Sequence, residues 1–163
     1  MEEENLHVTL LFLGEVEELD LVPICRIAKA EAEKVPPFTL EITGLGCFPN
    51  PRRPKILWVG VGEGTNELTQ LHDGLEAPLM KLGCYRREDR AYHPHLTLGR
   101  LNQEDDQEIW SNHLREYANW DGGEIQVTEI LVMGSEHRRD RYVYSVFGRA
   151  KLKGEIDPVE EEE

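Results

Sequence analysis

The sequence predicts a mixed α and β fold in which one half-unit is used twice, the two copies facing each other across a cleft. Three observations carry this prediction. His7-Val8-Thr9-Leu10 and His95-Leu96-Thr97-Leu98 are near copies, one close to the N-terminus and one in the second half of the chain. Apolar and polar residues alternate through these and several other short segments, as strands require, and apolar residues recur at helical spacing between them. The order after each copy is the same: helix, strand, loop, strand.

Leu6 to Leu13 reads as the first strand, stopped by Gly14. A helix follows from about Glu18 to Lys34, because Ile24, Ile27, Ala28 and Val35 fall at helical spacing and Asp20 offers a cap ahead of Pro23. Phe38, Leu40 and Ile42 alternate with Thr39, Glu41 and Thr43, which predicts a strand, with Gly44-Leu45-Gly46 after it. Phe48 to Lys55 is a basic loop stiffened by Pro49, Pro51 and Pro54, and Ile56 to Val61 is the next strand. Thr65 caps an amphipathic helix with Leu68, Leu71, Leu75, Leu79 and Leu82 on one face and Gly83 as its stop. In the second half, His95 to Leu101 is a strand, and Glu104 to Tyr117 is a helix whose acidic start suits the helix dipole. Ile125 to Met133 and Tyr142 to Leu152 are the last strands. The second copy is preceded by a strand and a long helix; the first is not, so the symmetry expects an equivalent strand and helix that this chain lacks.

A chain of 163 residues can bury a real core as one domain and has room for two small lobes. We expect residues 1–155 to form that domain, with two pseudo-symmetric lobes, and residues 156–163 to be a disordered acidic tail. A hydrophobic content of 39% with 31% charged residues fits a soluble globular protein. No apolar run approaches the ~20 residues of a membrane span. Met1-Glu2-Glu3-Glu4 has neither the basic region nor the apolar stretch of a signal peptide, so the expected location is cytoplasmic. Cys25, Cys47 and Cys84 are odd in number and form no CxxC pair, which suggests neither a disulfide framework nor a zinc knuckle.

A net charge of −14 argues against a general nucleic-acid-binding surface. The charge is uneven, however. Glu2 to Glu4 and the tail Glu155, Asp157 and Glu160 to Glu163 are acidic, whereas Arg52-Arg53-Pro54-Lys55, Arg86-Arg87, Arg90, Arg100 and Arg138-Arg139-Asp140-Arg141 are basic clusters. A local basic site on an acidic body favours a short strand end over a long duplex. Any one cluster taken alone also reads as solvated loop charge.

The chemistry lies in the repeated motif. On a strand, residues two apart share a face, so each His stands beside its own Thr while Val8, Leu10, Leu96 and Leu98 point the other way. Two such strands present two imidazoles and two hydroxyls to one site: a general acid, a general base and two neutral donors for an anion. That set suits phosphodiester chemistry without a metal. A single motif would read as well as two polar-face residues of no chemical consequence; the duplication is what favours chemistry.

ENLHVTLLFLGEV, GLGCFPNPRRPKILWVGV and YHPHLTLGRL resemble the two-histidine (2H) phosphoesterase superfamily. Within it the likeness is greatest to the bacterial and archaeal RNA 2′,3′-cyclic phosphodiesterases, historically called 2′-5′ RNA ligases. It runs in the family's order from Glu4 to about Leu152. The resemblance implies an α+β bilobal protein with two antiparallel sheets around a central V-shaped cleft and helices on the outside. It also implies a leading strand and helix, the elements expected above from symmetry. Carried over to this chain, it makes His7 the proton donor to the leaving oxygen, His95 the proton acceptor that activates water, and Thr9 and Thr97 donors to the non-bridging phosphate oxygens. The implied product is a terminal 2′-phosphate and the implied partner is RNA with a 2′,3′-cyclic phosphate end. No cofactor is expected, and the chain is expected to act as a monomer.

The remaining candidates rest on their own chemistry. Arg100 is the first candidate for an added phosphate contact, but on a regular strand it faces away from His95. Phe48, Arg52 and Arg53 suit a base-stacking and backbone-binding lip. His93-x-His95 resembles a metal-binding pair but lacks the accompanying ligands of a metallohydrolase, and Pro94 between them disfavours a regular strand. His72 and His113 read as surface or boundary residues on helices, Trp58, Trp110 and Trp120 as packing residues, and His137 as a loop residue near RNA at most. Ligation of 2′-5′ ends, hydrolysis of a small cyclic nucleotide, and non-catalytic binding of an RNA end or nucleotide are the competing functions.

Overall fold

Alternation and helical spacing are realised as strands and helices in a computed structural model, which describes residues 5–87, 89–102, 107–138 and 141–155. In chain order these are α1 (Glu18–Ala32), β1 (Phe38–Phe48), β2 (Ile56–Val61), α2 (Thr65–Leu82), β3 (His95–Arg100), α3 (Gln107–Glu116), β4 (Asp121–Val127), β5 (Glu129–Arg138) and β6 (Arg141–Lys151). The fold is α+β. One sheet has the order β3-β2-β1-β4 and the other pairs β5 with β6. Within the sheets, β1–β2, β2–β3 and β5–β6 are all antiparallel.

Two compact units are each drawn from three stretches of chain. The first takes the residues up to Phe12, Thr39–Thr69 and Asp89–Ile125; the second takes the rest. Both His-x-Thr motifs therefore fall in the first unit, and the units do not coincide with the two copies of the repeat.

In the first unit, Leu57 and Val59 of β2 are buried, as is Cys47 of β1. Leu57 and Cys47 pair across the ladder and pack with Leu114 of α3, and Leu45, Leu101 and Trp110 close around them. Each fully buried side chain of this size stabilises the fold by about 1.5–3 kcal/mol. The alternate residues Gly46, Phe48, Trp58 and Gly60 are thereby turned to the opposite face. β1 runs on through Gly44-Leu45-Gly46 to Phe48. Gly44, at φ 72°, is absorbed as a bulge between Thr43 and Leu45, and its N–H donates to the Trp120 carbonyl at 2.7 Å. An added Cβ there would lie 2.7 Å from the Ala118 carbonyl oxygen.

The expected first strand, Leu6 to Leu13, does not form among the described residues. Val8 alone bridges to Leu96 of β3, in antiparallel sense. Leu10-Leu11-Phe12-Leu13 is a continuous apolar run rather than an alternation, and Phe12 is left 72% exposed, so no sheet face rewards a strand there. Ile125 to Met133 is likewise not one strand. It divides into β4 and β5 at Thr128, whose carbonyl accepts from Leu152 N–H.

In the second unit, α1 lies against β5 and β6 and buries Ile24, Ala28 and Ala32. Asp20 is inside its first turn instead of capping it; Glu17 is the N-cap and uses no side-chain bond. Leu71, Leu75 and Leu79 of α2 are buried, and Gly83, at φ 88°, ends that helix as expected. Thr65 opens α2 differently from expectation, because its hydroxyl donates back to the Gly62 and Val61 carbonyls. Glu76 is a buried carboxylate that accepts from Arg87 Nε and Nη2 and from Tyr85 Oη. The Glu76 carboxylate in turn holds the Arg87 guanidinium above its ordinary pKa. Residues 1–4, 88, 103–106, 139–140 and 156–163 lie outside the described residues, and with them the acidic N-terminus, the expected acidic tail and the start of the helix predicted from Glu104. The side chains of His137, Arg138 and Arg141 are outside them too.

Candidate active site

His95 opens β3, and Pro94 before it sets the local path of the chain. A residue preceding proline is driven to extended backbone, and the chain here returns the His93 carbonyl towards the His95 ring, which donates Nδ1–H to it at 2.7 Å. His7 repeats the pattern: its Nδ1–H donates to the Asn5 carbonyl at 2.8 Å. A carbonyl only accepts, so both imidazoles carry a proton on Nδ1 and use Nε2 for any further exchange.

The bridge from Val8 to Leu96 aligns the two motifs. In antiparallel order it sets His7 opposite Thr97 and Thr9 opposite His95, so all four polar side chains project to one face. Leu6, Leu96 and Leu98 line an apolar cavity of about 350 Å³ together with Ile42, Val59 and Trp120, which places the apolar residues on the other face. The pairing thus brings the four predicted residues together, in an arrangement related to itself by exchange of the two segments. His7 and Thr9 are exposed; His95 and Thr97 are half-buried.

A wall of rings stands around His95. Phe48 meets it edge-on at 5.0 Å between centroids, Trp58 lies at 6.0 Å, and His93 stacks at 6.2 Å. Trp58 also meets Phe48 at 5.3 Å and His93 at 5.0 Å. Trp58 is the cross-strand partner of both Gly46 and Thr97. Its six-membered ring lies directly over Gly46, where an added Cβ would be 2.2 Å from the indole. Among the described residues its Nε1–H is buried without a protein partner, a donor left over in this ring cluster. The sequence reads Trp58 as a packing residue, and it does pack on Gly46 and Phe48; it and His93 also surround His95. The available signal was alternation, since Trp58 lies between the buried Leu57 and Val59. Tyr92, whose hydroxyl donates to the Thr9 carbonyl at 3.1 Å, was not singled out by any pattern in the sequence.

Phe48 begins the basic loop, where Lys55 N–H donates to the Phe48 carbonyl at 2.8 Å and Asn50 Oδ1 accepts from the backbone N–H of both Arg52 and Arg53. Ser111 of α3 holds the loop through the Pro51 carbonyl, and the Arg52 and Arg53 side chains are exposed. Arg100 is rescued from the wrong face by a bulge. The ladder pairs Trp58 with Thr97 but Leu57 with Gly99, so β3 carries one extra residue there. Beyond it Arg100 pairs with Ile56, which shares a face with Trp58, and the register returns Arg100 to the side of Thr97. Arg100 also borders a second cavity, of about 500 Å³, beside α3. Among the described residues no three His, Cys, Asp or Glu side chains come together as a metal site needs.

Residues 1–139 match the family model for the 2′-5′ RNA ligase superfamily. The chain belongs to that superfamily. Superfamily relatives include the RNA 2′,3′-cyclic phosphodiesterase of Aeropyrum pernix, 36% identical over 152 residues, which span 93% of this chain and 84% of the relative. The enzyme of the same name from Archaeoglobus fulgidus is 39% identical over 136 residues, covering 83% of this chain and 73% of the relative. Among solved superfamily-like structures, TT0787 of Thermus thermophilus superposes with a TM-score of 0.80 at 26% identity, over 96% of this chain and 82% of that one. Escherichia coli LigT complexed with phosphate superposes with a TM-score of 0.68 at 26% identity, over 93% and 78% of the two chains. In this superfamily member the motifs quoted from the sequence, HVTL and HLTL, are the ones that the Val8–Leu96 bridge brings side by side.

Proposed function

We infer that this chain is an RNA 2′,3′-cyclic phosphodiesterase that opens the cyclic phosphate to a 2′-phosphomonoester by two-histidine acid/base catalysis. His95 Nε2 takes a proton from water, the water oxygen bonds to phosphorus, the bond from phosphorus to the ribose 3′ oxygen breaks, and His7 Nε2 delivers a proton to that oxygen. Atoms and protons balance, and the two imidazoles return to their starting states by exchange with solvent. Thr9 and Thr97 hydroxyls hold the non-bridging oxygens, on which negative charge grows as the attacking oxygen bonds to phosphorus. Arg100 adds a cationic contact to the phosphate. Phe48 stacks the terminal base, and Arg52 and Arg53 contact the phosphates before it.

The observation that supports this reading is the antiparallel alignment of the motifs, with each His opposite the other motif's Thr. The names of the relatives above support the substrate. The reading takes residues 1–155 as one working domain, active as a monomer in the cytoplasm without a metal cofactor; elution as a single-chain mass in size-exclusion chromatography checks the monomer.

The test is hydrolysis of a short RNA ending in a 2′,3′-cyclic phosphate, in EDTA, by the wild type and by His7→Ala and His95→Ala. Each imidazole role is worth about 10²- to 10⁴-fold, so either variant should lose at least about 10²-fold in kcat/KM. The wild-type profile against pH should be bell-shaped, because one imidazole must be protonated while the other is not. Retained turnover in a variant carrying both His7→Ala and His95→Ala, or a 3′-phosphate product, refutes the assignment.

A further inference from the structure

Among the described residues the first motif joins no ladder. β3 is held along its length by the ladder to β2, whereas Val8 contributes only an isolated bridge. A second tie comes from outside both motifs. Tyr92, in the segment leading into β3, donates its hydroxyl to the Thr9 carbonyl at 3.1 Å, 83 positions away in sequence. Thr9 lies opposite His95 in the antiparallel order, so this bond fastens the end of the pairing beside the bridge. The phenol is half-buried, and burial pushes its ionisation up. The same segment supplies the His93 carbonyl that fixes the His95 ring.

We propose that Tyr92 is a positioning residue: it sets His7 and Thr9 against His95 and Thr97, and Tyr92–His95 is a bracket that orients both halves of the site. This rests on the two-histidine reading above. The bond from His7 to Asn5 fixes how the ring is turned but not where its segment lies, because Asn5 belongs to the same segment. The Tyr92 hydroxyl does fix it, since it anchors a backbone carbonyl of the first motif to the chain that carries the second. Misplacing a catalytic group by about 1 Å can cost on the order of 10²-fold in rate. Tyr92 touches no reacting atom, so its removal acts on kcat through the geometry of His7 and Thr9 and leaves RNA binding at the loop alone.

The experiment compares the full chain with Tyr92→Phe, which keeps the ring, and Tyr92→Leu, which does not. Two readouts are taken: amide hydrogen exchange across residues 5–12, and steady-state hydrolysis of an RNA 2′,3′-cyclic phosphate. The expected result is faster exchange in that segment but not in β1 or β2, with kcat reduced about tenfold or more and KM within about twofold, equally in both variants. A tyrosine needed only for packing would be rescued by Phe and would lower the melting temperature without separating kcat from KM. Wild-type kcat in Tyr92→Phe, or unchanged exchange at residues 5–12, overturns the proposal. If the wild type does not turn over the cyclic phosphate, the two-histidine reading fails; the exchange measurement still decides whether Tyr92 positions the first motif.

Discussion

Gly46 matters for what it leaves out. The Trp58 ring occupies the space a side chain would fill, with its carbons 2.2–2.4 Å from where a Cβ would be built. Gly46→Ala therefore pushes the indole off the sheet, and overpacking of this kind costs about 1–3 kcal/mol. The ring stands between Phe48, His93 and His95, so the displacement also reaches the proposed base. The variant should melt at a lower temperature, shift the tryptophan emission and lose kcat, as thermal unfolding and turnover assays would reveal. Gly46→Ala with unchanged emission and kcat would mean that Trp58 does not buttress His95. Arg100 makes the complementary point: its side of the strand is decided by one extra residue at Leu98-Gly99, not by its own chemistry.

At the scale of elements, the loop from Phe48 to Lys55 is a prefabricated turn rather than a flexible connection. Asn50 accepts from two backbone N–H groups, Ser111 anchors Pro51, and Pro54 is buried. Removing one such acceptor costs about 1 kcal/mol, equivalent to a severalfold change in an equilibrium. Asn50→Ala should accordingly raise KM severalfold for an RNA with several nucleotides ahead of its cyclic end, while kcat and the hydrolysis of a mononucleoside 2′,3′-cyclic phosphate stay as in the wild type. Parallel kinetics on the two substrates check this, and an equal defect on both removes the loop from RNA binding. The same comparison of elements explains what could be read from the chain. The leucine face of α2, its glycine stop, β2 and the His-Thr side of β3 follow from periodicity, a local property visible in residue order. The bulges in β1 and β3, the break at Thr128, the seating of Trp58 on Gly46 and the bond from Tyr92 to Thr9 depend on partners far along the chain. The motif residues were legible because their chemistry was repeated; Tyr92 was not, because a lone tyrosine has no pattern to betray it.

For the whole molecule the question is how a chain of net charge −14 acts on a polyanion. Two electrostatic effects of different range oppose each other. The acidic body repels RNA over the Debye length, about 30 Å at 0.01 M salt but only ~8 Å at 0.15 M. The contacts proposed for Arg52 and Arg53 would attract it at close range, and each phosphate neutralised on a single strand releases counterions with a log–log salt slope of about −0.7. Added salt first relieves the repulsion and then weakens the contacts, so kcat/KM should rise, pass through a maximum and fall. Two contacts predict a falling limb with a slope of about −1.4 in log kcat/KM against log salt. Arg52→Ala with Arg53→Ala removes those contacts, and the falling limb should flatten by about that amount while the rise at low salt remains. Measuring kcat/KM for a short cyclic-phosphate RNA across a salt series in both proteins separates the effects. Equal falling slopes would show that phosphates are held elsewhere, and a steady fall from the lowest salt in the wild type would show that the acidic body does not hinder approach to the site.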